Sequence, residues 1–223
     1  MAPARTTRRP RPRNSSALPP RPEPPRGAEA TAEKLLQAAH ELLDASAGVE
    51  PSVSQICERA GVKLAMVSYC FGGKAQLLEA LFDRVIGGMM AEQEALAARG
   101  LPPEETLAVQ VEATVRNLVR YPYVHSLGPR LAAGERAVTR MSETFVRPTR
   151  DFYARLIDDG VASGVFRPID PELLVFSVVG MCDFLFVARD WHEDAGKRMD
   201  KDLIERFVRH TVEFVLHGVA ADR

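Results

Sequence analysis

The stretch SVSQICERAGVKLAMVSYCFGGKAQLL, residues 52–78, decides how this chain is read. Ser52 is a residue type that caps helices, and behind it Val53, Ile56 and Cys57 recur at the spacing of one buried helical face. Ala60-Gly61-Val62 then breaks the helix. Gly61 tolerates the positive φ of a tight turn, and Cys57 and Ala60 are small enough to let two helices cross closely. A third helix is predicted over about 63–70, closed by Gly72-Gly73, and a longer helix opens at Lys74. Two short helices joined by a glycine turn describe a helix-turn-helix unit, with Ile56, Val62 and Val67 filling its small core. The outer face of the third helix presents Lys63, Leu64, Met66, Ser68 and Tyr69, which is the face that such a unit lays in a major groove.

Outward from this stretch the chain reads as helix after helix, so the fold class is all-α. Thr31 is predicted to cap a first helix whose buried stripe is Leu35, Ala39, Leu42 and Leu43, with Gly48 ending it. Leu77, Leu78, Leu81, Val85 and Met89 line one side of the fourth helix, which Arg99-Gly100-Leu101-Pro102-Pro103 stops. Leu107, Val111, Val115 and Leu118 mark a further helix up to Tyr121-Pro122. Later breaks are placed at Gly134, Gly160 and Gly164, and Pro148 is either a first helical residue or a kink. Two last helices, 171–190 and 201–216, flank a polar loop at 191–200.

Composition bounds the function classes. With 223 residues, 46% of them apolar, 26% charged and three cysteines, the chain is neither a disordered nor a disulfide-stapled protein. Its longest nearly apolar run, residues 173–188, contains Ser177 and Asp183 and is shorter than the ~20 residues a bilayer requires, so no membrane span is expected. An arginine-rich start without an apolar h-region points to a cytoplasmic location. The net charge of −1 hides an asymmetry. Residues 1–28 hold seven arginines, one acid and eight of the sixteen prolines, the composition of a disordered basic arm. Such an arm is either a solvated tail or a tracker of nucleic-acid phosphates. Residues 29–81, the predicted DNA-binding domain, carry seven acids against four bases. Because phosphate neutralisation supplies most non-specific affinity, the arm is the obvious source of the missing positive charge.

Residues 52–78 closely resemble the DNA-binding segment of TetR-type (tetracycline-repressor-like) transcriptional regulators. That family shows an I-A-x-x-A-G-V turn, a recognition helix ending in an aromatic-His-Phe group, a short Gly/Ser link and a lysine opening the fourth helix. Ile56, Ala60, Gly61, Val62, Tyr69, Phe71, Gly72 and Lys74 match. Cys57 replaces the usual alanine, Cys70 the frequent histidine and Ala75 a common acid. The resemblance implies that Ser52, Tyr69 and Lys74 contact phosphates while the exposed positions Lys63, Leu64, Ala65, Met66 and Ser68 read bases. Leu64 and Met66 suit thymine methyls, and Ala65 allows close backbone approach.

Residues 82–223 hold no phosphate loop, no nucleophile elbow and no histidine or cysteine pattern of a zinc site, so an enzyme is not expected, nor a cofactor or metal. His192-Glu193-Asp194 reads as a solvated loop. The 173–188 helix is apolar almost all round and the final helix is two-faced, which a single layer of helices cannot bury. By resemblance, these two helices make a four-helix bundle with a second copy, and a homodimer would place two recognition helices on a palindromic double-stranded DNA operator. The family also implies an effector pocket for a small molecule whose identity the sequence does not name. Met141, Phe145, Phe152, Leu156, Phe176, Met181 and Phe184 are its candidate lining, with Asp183 a buried carboxylate that Arg130 or Arg140 could partner. The reading is a repressor released by an effector; the alternatives are control by a protein partner or by redox chemistry at Cys70 or Cys182.

Overall fold

The computed structural model describes residues 27–46, 49–131, 135–188 and 200–221. Residues 1–26 of the expected 1–28 arm, Gly48, Gly134 and the 192–194 loop lie outside them, whereas Gly27 and Ala28, counted in that arm, open the first helix. Helix follows helix: α1 (Ala28–Ala45), α2 (Val53–Ala60), α3 (Ala65–Phe71), α4 (Lys74–Ala97), α5 (Pro103–Arg120), α6 (Val124–Leu131) and α7 (Glu135–Met141). A single π turn (Ser142–Val146) leads into α8 (Arg147–Ala162), and α9 (Pro171–Val187) and α10 (Lys201–Val219) complete the chain. The one β contact among the described residues is an isolated antiparallel bridge between Phe166 and Ala220.

Two local expectations differ from the structure, and a third, Pro148, is resolved by it. α1 starts at Ala28 behind Gly27, so Thr31 sits inside its first turn and donates its hydroxyl to Gly27 O at 2.9 Å instead of capping. Gly160 lies within α8 rather than ending it. The Phe166 ring packs there, so close that a Cβ at 160 would lie 1.9 Å from the ring, and the helix turns off at Gly164 instead. Pro148 follows the π turn at the first turn of α8, where its missing N–H costs little.

Two cores result. The first joins Leu35, Ala39 and Leu43 of α1, Ile56 and Cys57 of α2 and Val67 of α3 to the first half of α4, Leu77 to Ile86. It does not close at Leu81, because Phe82, Val85 and Ile86 belong to it, as do Tyr123 and Leu127 from the start of α6. The second packs α5, α8, α9 and α10 around Leu107, Val111, Tyr153, Ile157, Val178 and Val215. The unbroken α4 runs through both, with Leu96 in the second. A rigid helix shared by two cores is the mechanical link between them.

Candidate DNA-binding face and effector cavity

The helix-turn-helix geometry follows from local chemistry. Ser52 Oγ accepts the Gln55 N–H at 3.2 Å while Gln55 Oε1 accepts the Ser52 N–H at 2.8 Å, a capping box that starts α2. Gly61 takes φ 66° and ψ 35°, and the Val62 N–H donates to Cys57 O at 3.0 Å, which closes α2 and turns the chain. Val67 is buried against the first core. Lys63 and Leu64 stand in the turn before α3, and both are exposed, as are Ala65, Ser68 and Tyr69. Leu64 and Tyr69 are 58% and 52% exposed, so both are accessible to a nucleic-acid groove. Met66 departs from the expected set: it is half-buried and packs on the first core, because it falls beside Val67 on the inner flank of the helix. Cys70 is also half-buried, its thiol donating weakly to Ala28 O at 3.9 Å, and burial pushes its pKa up.

Lys74 opens α4, and its Nζ lies 2.6 Å from Glu50 Oε1. The other carboxylate oxygen of Glu50 accepts from Arg130 Nη2 at 2.6 Å. Lys74 beside it holds the Glu50 carboxyl below its usual range, against the opposing effect of burial. Arg130 is therefore an arm of α6 reaching the DNA-binding unit. Arg140 behaves likewise, pairing with Asp83 at 3.2 Å and Glu79 at 3.7 Å on α4. Arg84 binds Glu33 at 2.7 Å. Much of the acidity counted in residues 29–81 is thus paired, partly by bases that lie beyond residue 81.

A cavity of about 850 Å³ lies between the two cores, within the range of small-molecule sites. Phe82, Ile86, Met89 and Met90 of α4 form one wall, with Val124, His125 and Gly128 of α6, Met141 and Phe145 beyond them, and Val179 and Asp183 of α9. Met141, Phe145 and Asp183 are the predicted pocket residues that line it. The others do not. Phe152 and Leu156 are buried in the second core, Phe152 edge-on to Tyr153 at 5.6 Å, and Met181 packs half-buried on the same core. Phe176 and Phe184 point outward, 61% and 57% exposed. Arg130 and Arg140 are taken by the carboxylates named above. On α9, Val179 and Asp183 sit one turn apart on the flank between the buried face and an exposed strip of Leu173, Phe176, Phe184 and Val187. Phe214 of α10, 60% exposed, continues the apolar surface.

Gln93, His125 and Tyr153 are among the polar side chains on this wall that the sequence reading missed. Among the described residues, Gln93 Nε2, His125 Nδ1 and Tyr153 Oη are buried without a hydrogen-bond partner. The Thr114 hydroxyl is beside Tyr153 Oη but donates to Gln110 O at 2.9 Å, and the two hydroxyls lack hydrogen-bond geometry. Burial raises the Tyr153 pKa. Gln93 had a legible signal, since it continues the apolar series Phe82, Ile86, Met89 on α4 as a polar residue in an apolar phase.

Residues 100–223 match the family described as "Tetracyclin repressor-like, C-terminal domain", more than half of the chain. The chain belongs to the TetR family. It is a DNA-binding transcriptional regulator of all-helical architecture. An uncharacterised HTH-type transcriptional regulator of Bacillus subtilis, YhgD, is 23% identical over 149 residues, spanning 65% of this chain and 75% of that protein. The fold is similar to a TetR/AcrR regulator from Thermobifida fusca (TM-score 0.68, 20% identity, 85% and 98% of the two chains). It is also similar to Bacillus subtilis FadR in complex with stearoyl-CoA (TM-score 0.65, 17% identity, 84% and 98%). No helix among the described residues is long and apolar enough to cross a membrane. A cysteine switch is not favoured: burial raises all three thiols, and that of Cys182, with the Asp183 carboxylate beside it, is pushed up to about 12.

Proposed function

We propose that this TetR-family protein is a homodimeric repressor, released from a palindromic operator when a small molecule fills the cavity between its two cores. The observation that carries the proposal is the sharing of walls. Phe82 and Ile86 belong both to the core under the recognition helix and to the cavity, on the helix that Lys74 opens. α6 likewise puts His125 and Gly128 on the cavity and Arg130 on Glu50. A ligand that fits one arrangement of α4 and α6 better than another shifts the population of recognition-helix positions.

In the DNA complex Ser52, Tyr69 and Lys74 position the protein on phosphates, and Lys63, Leu64, Ala65 and Ser68 face the bases. The Ser52 hydroxyl accepts from Gln55, which leaves its own hydrogen for a phosphate. Met66, being half-buried, contributes to this face only at its edge. The strip of Leu173, Phe176, Phe184 and Val187 with Phe214 packs against its copy in the dimer, and the arginines of residues 1–26 add counterion-releasing contacts. The protein has no catalytic role in this reading and acts in the cytoplasm.

Footprinting on the protein's own upstream region and neighbouring promoters, with sedimentation in parallel, tests the proposal. A protected palindrome and a dimer are expected. Sequence-independent coating, or a monomer at the concentrations that protect DNA, would refute it.

A further inference from the structure

The charges on the cavity wall define what kind of molecule it admits, an inference that rests on reading the cavity as the effector site. Among the described residues, three charged side chains line it: Glu92, Arg99 and Asp183. Glu92 is exposed, accepts from Asn117 Nδ2 at 3.2 Å and pairs with Arg120 at 3.6 Å, and Arg99 is exposed as well, which places both at the mouth. Asp183 differs. It is half-buried on an apolar helix, and no described residue forms an ion pair with it. Arg130 and Arg140, the bases that sequence reasoning offered as partners, are held elsewhere by Glu50, Asp83 and Glu79. The rest of the wall is mostly apolar, with the unpartnered Gln93 Nε2, His125 Nδ1 and Tyr153 Oη as further polar points. Gln93 and Tyr153 are 6% and 1% exposed, so these atoms gain no hydrogen bonds from bulk water.

An apolar chamber with one carboxylate that no described residue pairs selects against anions. A fatty carboxylate or a phosphate would be set in low dielectric against a like charge, whereas an ammonium group gains an ion pair without having to displace an existing cation. The buried donors and acceptors around it satisfy a hydroxyl, carbonyl or second nitrogen on the same ligand. We propose that the cavity takes a lipophilic amine, its ammonium against Asp183 and its apolar body along Phe82, Ile86, Met89, Met90 and Phe145. This ligand class is opposite in charge to the acyl-CoA held by FadR.

Calorimetry on the full-length protein with decylamine, decanol and decanoate isolates the head group, because the apolar tail is constant. Decylamine is expected to bind at least tenfold more tightly than decanol, and decanoate more weakly than decanol. Asp183→Asn should bring the amine and the alcohol within about threefold of each other, and Asp183→Glu should retain the preference. Decanoate binding as tightly as decylamine, an amine preference that survives Asp183→Asn, or no binding of any of the three would overturn the proposal. The ranking in the unaltered chain decides even where a variant fails to fold. Release of a fluorescent operator fragment is measured separately. Asp183-dependent amine binding without release would refute the effector reading while leaving the ligand class intact. Release by decanoate alone would do the reverse.

Discussion

Glu50→Gln is expected to tighten DNA binding while weakening the fold. Glu50 holds Lys74 at 2.6 Å and Arg130 at 2.6 Å, so the lysine assigned to a phosphate is already occupied in the free protein. The Lys74 pair is partly shielded, with side chains 30% and 23% exposed, whereas Arg130 is 64% exposed. Partly exposed pairs of this kind contribute about 0.5–1 kcal/mol each, so the substitution should cost about 1–2 kcal/mol of stability. The sign with pH follows from the lowered Glu50 pKa. Its contribution is present above the ordinary carboxylate value near 4.5 and is lost as pH falls through the lower folded value, so the two stability curves should converge in acid. On DNA, a Lys74 no longer held by Glu50 saves about 0.5–1 kcal/mol per subunit, about 1–2 per dimer, which is a roughly fivefold to thirtyfold gain in affinity. Fluorescence anisotropy with specific and random duplexes measures it, and Lys74→Ala closes the cycle. Unchanged or weaker binding by a folded Glu50→Gln protein would refute the reasoning. So would a gain that persists in the Lys74→Ala background, since it would then come from net charge alone.

Four further outcomes are expected. Gly160→Ala forces a Cβ to within 1.9 Å of the buried Phe166 ring, and overpacking at this contact should cost about 3 kcal/mol or more, read as a drop in Tm of about 6–12 °C; a change under 2 °C would show that the ring moves freely. Phe184→Asp puts a charge into the exposed strip twice per dimer and should raise the dimer Kd by at least about 100-fold by sedimentation, with helicity unchanged. Cys182, raised from 9.0 to about 12, keeps its proton in the native chain after the unfolded chain has lost it, so stability falls as pH rises above 9; between pH 9 and 10.5 urea melts should show the unaltered protein losing up to about 2 kcal/mol more than Cys182→Ala. Deleting residues 2–27 should weaken specific and random DNA binding together and flatten the plot of log affinity against log salt by roughly four to six per dimer, while a slope that stays the same would mean that the arm does not touch DNA.

The elements most legible in the sequence are those whose constraints are local. The Ser52 cap, the Gly61 turn and the Lys74 start are each fixed by one or two side chains acting on their own backbone, and each lies where the pattern put it. Helix ends set by distant packing were not legible. Nothing in the neighbourhood of Gly160 reports that Phe166 will fold back onto it, and glycine there reads as a break although it is a contact. Nor does local sequence tell that the bases at 130 and 140 serve the DNA-binding unit, because their partners Glu50, Glu79 and Asp83 lie some 50–80 residues earlier.

The cavity shows why an apolar helix is hard to apportion. Hydrophobicity marks α9 as buried all round, but it cannot say which neighbour covers each side. Phe176 and Phe184, two of the three phenylalanines in the run, read as pocket lining; they stand on the outer strip, where large flat side chains suit a helix from another subunit, while Phe186 is buried. The side that does face the cavity is marked instead by its one unfavourable residue. A carboxylate on such a helix costs free energy unless something answers it, and that argument alone singles out Asp183 from the sequence. The same logic, applied to Gln93 in the buried phase of α4, would have found a second wall. In a fold whose core positions are filled by interchangeable aliphatic residues, the polar exceptions carry the information about ligand chemistry, and here, among the described residues, they are a carboxylate without an ion-pair partner and three hydrogen-bonding groups without a partner, all on the wall of the same chamber.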